Sequence, residues 1–117
     1  MADSETKAVL KAELRGILDH TASWARVLED GRIELEYYDY SPAAQNTFGN
    51  DVAWMYRIDP SVKPRWWELL GVLTGAAITC DQAMLDSLVK SFEDVKGVRD
   101  WLVEKQIPYE EEFDSWA

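Results

Sequence analysis

Apart from carboxylates, few side chains in this sequence are able to do acid–base or nucleophilic chemistry. The chain has one histidine, His20, and one cysteine, Cys80. A serine or cysteine nucleophile needs a base beside it, and His20 is the single imidazole that could serve. The sequence has no glycine-rich phosphate loop and no zinc-type set of Cys and His. We therefore expect no catalytic residues, no cofactor and no metal site.

The surroundings of these two residues favour structural roles. His20 would end a predicted first helix, where its imidazolium interacts favourably with the helix dipole. Cys80 would lie in the first turn of a later helix, and we expect its thiol to be buried and inert. A lone cysteine forms no internal disulfide, which suits a reducing compartment. With no leader pattern and no apolar stretch long enough to cross a bilayer, the sequence predicts a cytoplasmic protein without membrane contact.

Carboxylates dominate the polar residues of the chain. The 22 Asp and Glu residues stand against 12 Lys and Arg, which gives a formal net charge of −10. Direct binding of nucleic acid requires a basic patch, so we expect none. The acids concentrate in segments 19–41 and 108–117, close to tyrosines and tryptophans. Because clustered acid steers basic partners and aromatic side chains anchor them, the predicted partner is a basic protein.

The first half of the chain predicts one helix followed by strands. Residues 4–20 have apolar side chains at helical spacing. A short run at 23–28, a turn at Asp30-Gly31 and alternation at 32–40 predict a hairpin. Alternation returns at 51–58, so a third strand completes an antiparallel meander.

Helical spacing dominates the second half of the chain. Pro64 suits the first turn of a helix, and Thr79 with Gln82 matches a capping box that starts a second helix. Gly97 either kinks that second helix or separates it from a third, and the sequence leaves both alternatives open. The segment 107–113 alternates imperfectly and is interpreted as a fourth, edge strand.

These elements predict one α+β domain over residues 1–117. Its fold would be a three- to four-stranded antiparallel sheet with an N-terminal helix and two to three C-terminal helices packed on one face. The outward face of strand 32–40 carries acid and tyrosine together, and the acidic end of the chain lies nearby if it pairs with the sheet. Trp67 would lie at a helix rim beside the core-facing Trp66. The predicted partner-binding residues are Glu34, Glu36, Tyr38, Asp39, Tyr40, Trp67, Glu110, Glu111, Glu112, Asp114 and Trp116.

Two phrases of the sequence resemble a group of known proteins. One joins the run Tyr37–Ala44 to Gly49–Val52, and the other joins Trp101-Leu102 to Ile107-Pro108-Tyr109. Both are similar to patterns in small uncharacterised bacterial proteins. Many small, acidic bacterial proteins of this style look like immunity partners of secreted toxins. The resemblance implies a cytoplasmic binding protein and carries no catalytic residues across.

Three functions remain as hypotheses. The first is a non-enzymatic acidic protein-binding module, for example an immunity-type inhibitor of a basic partner protein. The second is a nucleic-acid mimic, whose carboxylates are spaced like phosphates and occupy DNA-binding proteins. The third is an enzyme or small-molecule-binding domain that uses carboxylates and tyrosines in a deep pocket. The partner's identity, the biological process, the oligomeric state and the strand order stay open.

Overall fold

The computed structural model describes residues 7–16, 20–42 and 51–115 of the chain. The strands within these residues are β1 (Ala8–Leu14), β2 (Thr21–Leu28), β3 (Ile33–Asp39), β4 (Val52–Ile58) and β5 (Glu110–Ser115). The helices are α1 (Lys63–Thr74), α2 (Asp81–Ser91) and α3 (Val95–Glu104), and a 3₁₀ turn, Pro60–Val62, precedes α1. None of these helices is long and apolar enough to span a membrane.

The five strands form one antiparallel sheet in the order β1-β2-β3-β4-β5. The first four strands follow one another as a meander, and β5 returns after the three helices to pair with β4. The predicted α+β class is therefore confirmed. The predicted count of three to four strands is too low, because the segment expected to be the first helix supplies a further strand.

The predicted N-terminal helix is wrong. Within the predicted span 4–20, the residues that the structure describes form the edge strand β1, in which Ala12 lies opposite Ala25 and Leu14 opposite Ser23. Leu, Lys, Ala and Glu all favour helices, so local propensity pointed to the wrong element. Pairing with β2 overrides that propensity because it brings Leu14, which is 2% exposed, into the core. Residues 4–6 and 17–19 of the prediction lie outside the described residues.

The predicted hairpin and its alternation are confirmed. Strands β2 and β3 pair across a turn at Asp30 and Gly31, and Gly31 has a φ of 90°, which a residue without Cβ adopts readily. Ile33, Leu35 and Tyr37 are buried on one face of β3. The helices pack on this face, which we call the inner face. Their main core residues are Trp66, Leu70, Met84, Leu85, Leu88, Val95, Val98, Trp101 and Leu102.

The boundaries of α2 and α3 follow from their caps. The N-cap of α2 is Cys80 rather than Thr79, and the Cys80 sulfur accepts a hydrogen bond from the Ala83 N–H at 3.4 Å. Cys80 is exposed, so the expectation of a buried thiol is wrong. Asp94 caps α3 by accepting a hydrogen bond from the Gly97 N–H at 2.9 Å. Gly97 therefore lies in the first turn of α3, and the chain breaks before it into two helices.

Two further expectations change at the ends of the sheet. The last strand covers residues 110–115 rather than 107–113, and Ile107 instead packs into the core before the strand begins. His20 lies in the β1–β2 connection with a φ of 64°, exposed, with its ring edge-on to Tyr40 at 5.7 Å. Since no described helix ends at His20, its predicted interaction with a helix dipole is wrong.

We expect Tyr56 to reduce the stability of the protein in alkali. Burial raises the pKa of Tyr56 to about 12, from 10.0 for an ordinary tyrosine, although Arg99 acts in the opposite direction. The unfolded chain therefore releases the Tyr56 proton first, so this contribution to stability is complete below pH 10 and is lost as the pH rises towards 12. One such group gives a slope of about 1.4 kcal/mol per pH unit.

Urea unfolding over this pH range should show a shallower loss of stability for Tyr56→Phe than for the wild type. Tyr40→Phe, at an exposed tyrosine, controls for the removal of a phenol as such. Identical slopes for wild type and Tyr56→Phe would contradict the expectation.

Candidate functional site

The face of the sheet opposite the helices carries charged and aromatic side chains. The strand register places these side chains in rows that cross all five strands. From β1 to β5, one row consists of Lys11, Arg26, Glu34, Arg57 and Glu110. The next row consists of Glu13, Trp24, Glu36, Met55 and Glu112. We call the surface formed by these two rows, together with Tyr38, the outer face.

Charged side chains at the centre of the outer face are joined by hydrogen bonds. Arg26 donates to Glu34 Oε1 at 3.1 Å and to Glu36 Oε1 at 2.7 Å. Arg57 donates to Glu34 Oε2 at 3.0 Å and to Glu112 Oε1 at 2.7 Å. Glu34 is thus shared between two guanidinium groups. We call these five residues the ion-pair ladder.

The ladder is packed rather than fully solvated. The side chains of Arg26, Glu34, Glu36 and Arg57 are only 14–20% exposed, whereas Glu112 at the β5 end is 52% exposed. Desolvation lowers the pKa of the Arg57 guanidinium, but hydrogen bonds to Glu112 and Glu34 outweigh it, so the pKa is raised overall. The charges at the centre of the outer face therefore compensate one another within the chain.

Aromatic and thioether groups flank the ladder. The Lys11 ammonium lies 4.2 Å from the centre of the Trp24 ring, within the range of a cation–π contact. Met55 Sδ accepts a weak hydrogen bond from Arg57 at 3.4 Å. Tyr38 donates a hydrogen bond of 2.7 Å to Asp51, which raises the pKa of the Tyr38 phenol. The outer face thus combines fixed charges with apolar contact area.

Some of the predicted partner-binding residues come together on the outer face. Glu34, Glu36 and Tyr38 lie on β3, and Glu110 and Glu112 lie on β5, two strands away. Arginines from β2 and β4, which were not predicted as site residues, stand between these acids. Consequently the predicted patch of free acid is a largely neutralised array at its centre.

Other predicted residues lie elsewhere. Asp39 is opposite Val52 on the inner-face side, and its carboxylate accepts the Ser41 N–H at 2.9 Å. Tyr40 is exposed just beyond β3. Glu111 lies opposite the core residue Tyr56, so it belongs to the helix side of the sheet. Asp114 pairs with Ala53 in the β5 register. Trp116 lies outside the described residues.

Trp67 belongs to a different surface, on α1 in the helix layer. It is half-buried, and its indole N–H points to Met84 Sδ at 3.1 Å. A shallow apolar groove of about 610 Å³ runs beside it, and Glu68 is the one carboxylate among the described residues of its lining. The groove is lined by Pro64, Trp67, Glu68, Gly71, Val72, Gly75, Ala76, Ala77 and Ile78. The rim position predicted for Trp67 agrees with this placement, but Trp67 does not join the other predicted residues.

Four members of the candidate site were not among the residues predicted from the sequence: Trp24, Arg26, Met55 and Arg57. For Trp24 and Arg26 a signal was present: in the run 23–28 they alternate with the buried Ala25 and so share one face. Their contact with Glu34 and Glu36 depends on the pairing register, which no local pattern reveals.

Two structural features of the described residues bear on metal binding and acid–base chemistry. Within residues 7–16, 20–42 and 51–115, no three His, Cys, Asp or Glu side chains are grouped so as to hold a metal ion. The groove beside Trp67 has one carboxylate among the described residues that line it, that of Glu68.

Comparison with known proteins adds no family to this description. No protein-family model matches the sequence, no curated protein matches it, and no solved structure matches its fold. The residues of the outer face therefore carry the functional evidence.

We expect Glu34→Gln to destabilise the protein more than the loss of a surface ion pair does. The change removes a charge shared by Arg26 and Arg57 and leaves both guanidinium groups partly desolvated. The free energy of unfolding should fall by about 1–3 kcal/mol. The matched control is Asp100→Asn, because Asp100 binds Arg99 at 2.8 Å but is 71% exposed.

Urea unfolding measures both changes. The control should cost less than about 1 kcal/mol, and added salt should reduce that cost further. A Glu34→Gln effect no larger than that of the control would contradict a packed ladder.

Proposed function

We propose that the protein is an acidic, non-enzymatic protein-binding module that docks a basic partner protein on its outer face. The observation that carries the proposal is the ion-pair ladder. Arg26 and Arg57 hold Glu34, Glu36 and Glu112 in defined positions on the face opposite the helices.

Side chains that are already held in one conformation before binding lose less entropy when a partner docks on them. Long charged side chains normally lose rotamer entropy when a partner immobilises them. In the ladder Arg26 and Arg57 are already fixed by two carboxylate hydrogen bonds each. Because their charges are also satisfied within the chain, covering them does not leave an unpaired buried charge.

Apolar contact area on the outer face supplies the anchors. Trp24, Tyr38 and Met55 border the ladder, and aromatic, methionine and arginine side chains are enriched in the centres of protein interfaces. Trp24 is half-buried, so part of its ring remains open to a partner. We expect Trp24 to contribute more to the dissociation rate than the surrounding charges do.

Acidic side chains at the β5 end of the outer face favour a partner with a positively charged surface. Glu110 is exposed at the end of one row, and Glu112 is half-exposed at the end of the next. With a chain charge of −10, these residues attract a basic surface and accelerate encounter. An immunity-type inhibitor of a basic toxin is one module of this kind, and the resemblance of the two sequence phrases favours it.

The other two hypotheses receive less support. A nucleic-acid mimic needs an uninterrupted array of carboxylates, whereas Arg26 and Arg57 stand between the carboxylates of the ladder. An enzyme or carrier needs a pocket with convergent polar groups, and the groove beside Trp67 is apolar and shallow.

The proposal is tested by affinity capture from the native cells at low and at moderate salt, with identification by mass spectrometry. We expect one basic protein, captured less efficiently at moderate salt because exposed charges are screened. The double variant Glu110→Lys/Glu112→Lys should weaken its capture, and Trp24→Ala should abolish it.

The matched control is Glu68→Lys/Glu104→Lys, which makes the same change in net charge at exposed acids on α1 and α3. The control should capture the partner as the wild type does, apart from a general loss due to net charge. If both double variants weakened partner capture equally, the interface would not lie on the outer face. Capture of no basic protein at either salt concentration would contradict the proposed function itself.

A further inference from the structure

The sheet of the described residues has two edge strands, β1 and β5. Their side chains differ in whether they favour pairing with a second copy of the same strand. β5 carries Glu110, Glu111 and Glu112, all exposed. When such a strand pairs with a copy of itself, acid faces acid, which opposes the pairing. The other edge, β1, has no such run of like charge.

β1 is complementary to itself. Its sequence from residue 10 onward is Leu10-Lys11-Ala12-Glu13-Leu14. In an antiparallel pair of two copies centred on Ala12, each Lys11 lies opposite the Glu13 of the other copy, and each Leu10 lies opposite a Leu14. Directly opposite residues in such a pair point to the same face. Both charged pairs then fall on the outer face, and both leucine pairs fall on the inner face.

We propose that β1 pairs antiparallel with β1 of a second copy, which makes a two-fold symmetric dimer whose sheet is continuous across both chains. An interface of this kind is isologous, because the same surface of each copy contacts itself. The alternate N–H and C=O groups of β1 that point away from β2 supply the hydrogen bonds between the copies.

The bulge in β1 fixes the register of this pairing. The pairing of β1 with β2 shifts between Ala8 and Leu10, and Val9 in the shifted part is 57% exposed. A bulge interrupts ladder pairing locally. Regular pairing is therefore confined to Leu10–Leu14, the segment that is complementary to itself. A slip by one residue would place Lys11, an outer-face residue, opposite an inner-face residue of the second copy.

The composition of β1 is a second argument for a strand on its free side. Lys, Ala and Glu are depleted in strands and favour helices, so β1 depends on its neighbours for its conformation. Among the residues that the structure describes, β1 has a single neighbouring strand within its own chain, β2. A second copy supplies the other neighbour, and it covers Leu10 and Ala12, which are only half-buried in the single chain.

This dimer goes beyond the proposed function and does not rest on it. The contacts involve Lys11 and Glu13, whereas partner capture was assigned to Trp24, Glu110 and Glu112. In the dimer the two outer faces become continuous across the β1 pair, so each dimer presents two equivalent docking surfaces. Failure of the dimer leaves the proposed function intact, and failure of the proposed function leaves the dimer intact.

Sedimentation velocity with purified protein, from micromolar to near-millimolar concentration, tests the proposal. The wild type should convert from monomer to dimer as the concentration rises. Lys11→Glu and Glu13→Lys each place like charges opposite one another twice per dimer. Each should therefore raise the dissociation constant by at least about tenfold.

Two charge-matched experiments decide the register. The double variant Lys11→Glu/Glu13→Lys has the wild-type net charge and recreates both opposite-charge pairs in reverse, so it should dimerise as the wild type does. An equimolar mixture of the two single variants should form a mixed dimer, because glutamates at both positions then face lysines at both positions. If dimerisation is restored in either experiment, neither misfolding nor loss of the Lys11–Trp24 contact can explain the weaker dimerisation of the single variants.

Three results would overturn the proposal. One is a wild type that stays monomeric over the whole concentration range. Another is a double variant that fails to dimerise although circular dichroism shows it folded. The third is growth beyond the dimer, which would indicate head-to-tail pairing of β1 with β5.

Discussion

The two-residue alternation of β3 is the constraint on which the rest of the structure depends. β3 is the central strand, and each of its side chains points either to the helices or to the outer face. Ile33, Leu35 and Tyr37 complete the core, while Glu34 and Glu36 complete the ion-pair ladder. A shift of one residue in its pairing would bury two carboxylates and expose the core, so burial of one face fixes the chemistry of the other.

Much of the fold could be predicted from local patterns, and the failures have local causes too. The alternation of β3 and the turn at Gly31 are each encoded within a few residues. The sequence left open whether Gly97 kinks or breaks a helix, and the Asp94 cap decides for a break. β1 was misread because Leu10 and Leu14 satisfy two patterns at once: positions four apart share a face on a helix and also on a strand. Helix propensity then favoured the wrong choice, since the partner strand that decides it lies beyond the range of the pattern.

The candidate site was predictable only in part for the same reason. Sequence alternation places Glu34 and Glu36 outward, and the structure agrees. Arg26 and Arg57 come from the two neighbouring strands, and only the register brings them beside those acids. An acidic segment in a sequence therefore does not imply a free negative patch. Here the centre of the acidic face is largely neutralised by Arg26 and Arg57. In the proposed function, the attraction of a basic partner therefore falls to the acids at the β5 end.

A protein whose sheet has open edges must limit how far strand pairing between copies extends. Pairing of unlike edges leaves a free edge at each end and so builds rings or open filaments, whereas pairing of one edge with itself closes after two copies. The β1 edge has opposite charges arranged for self-pairing, and the β5 edge has like charges that oppose it. In the proposed function Glu110 and Glu112 attract a basic partner, and as acids on an edge strand they also oppose pairing of β5 with another strand. The proposed assembly therefore stops at a dimer with both outer faces open.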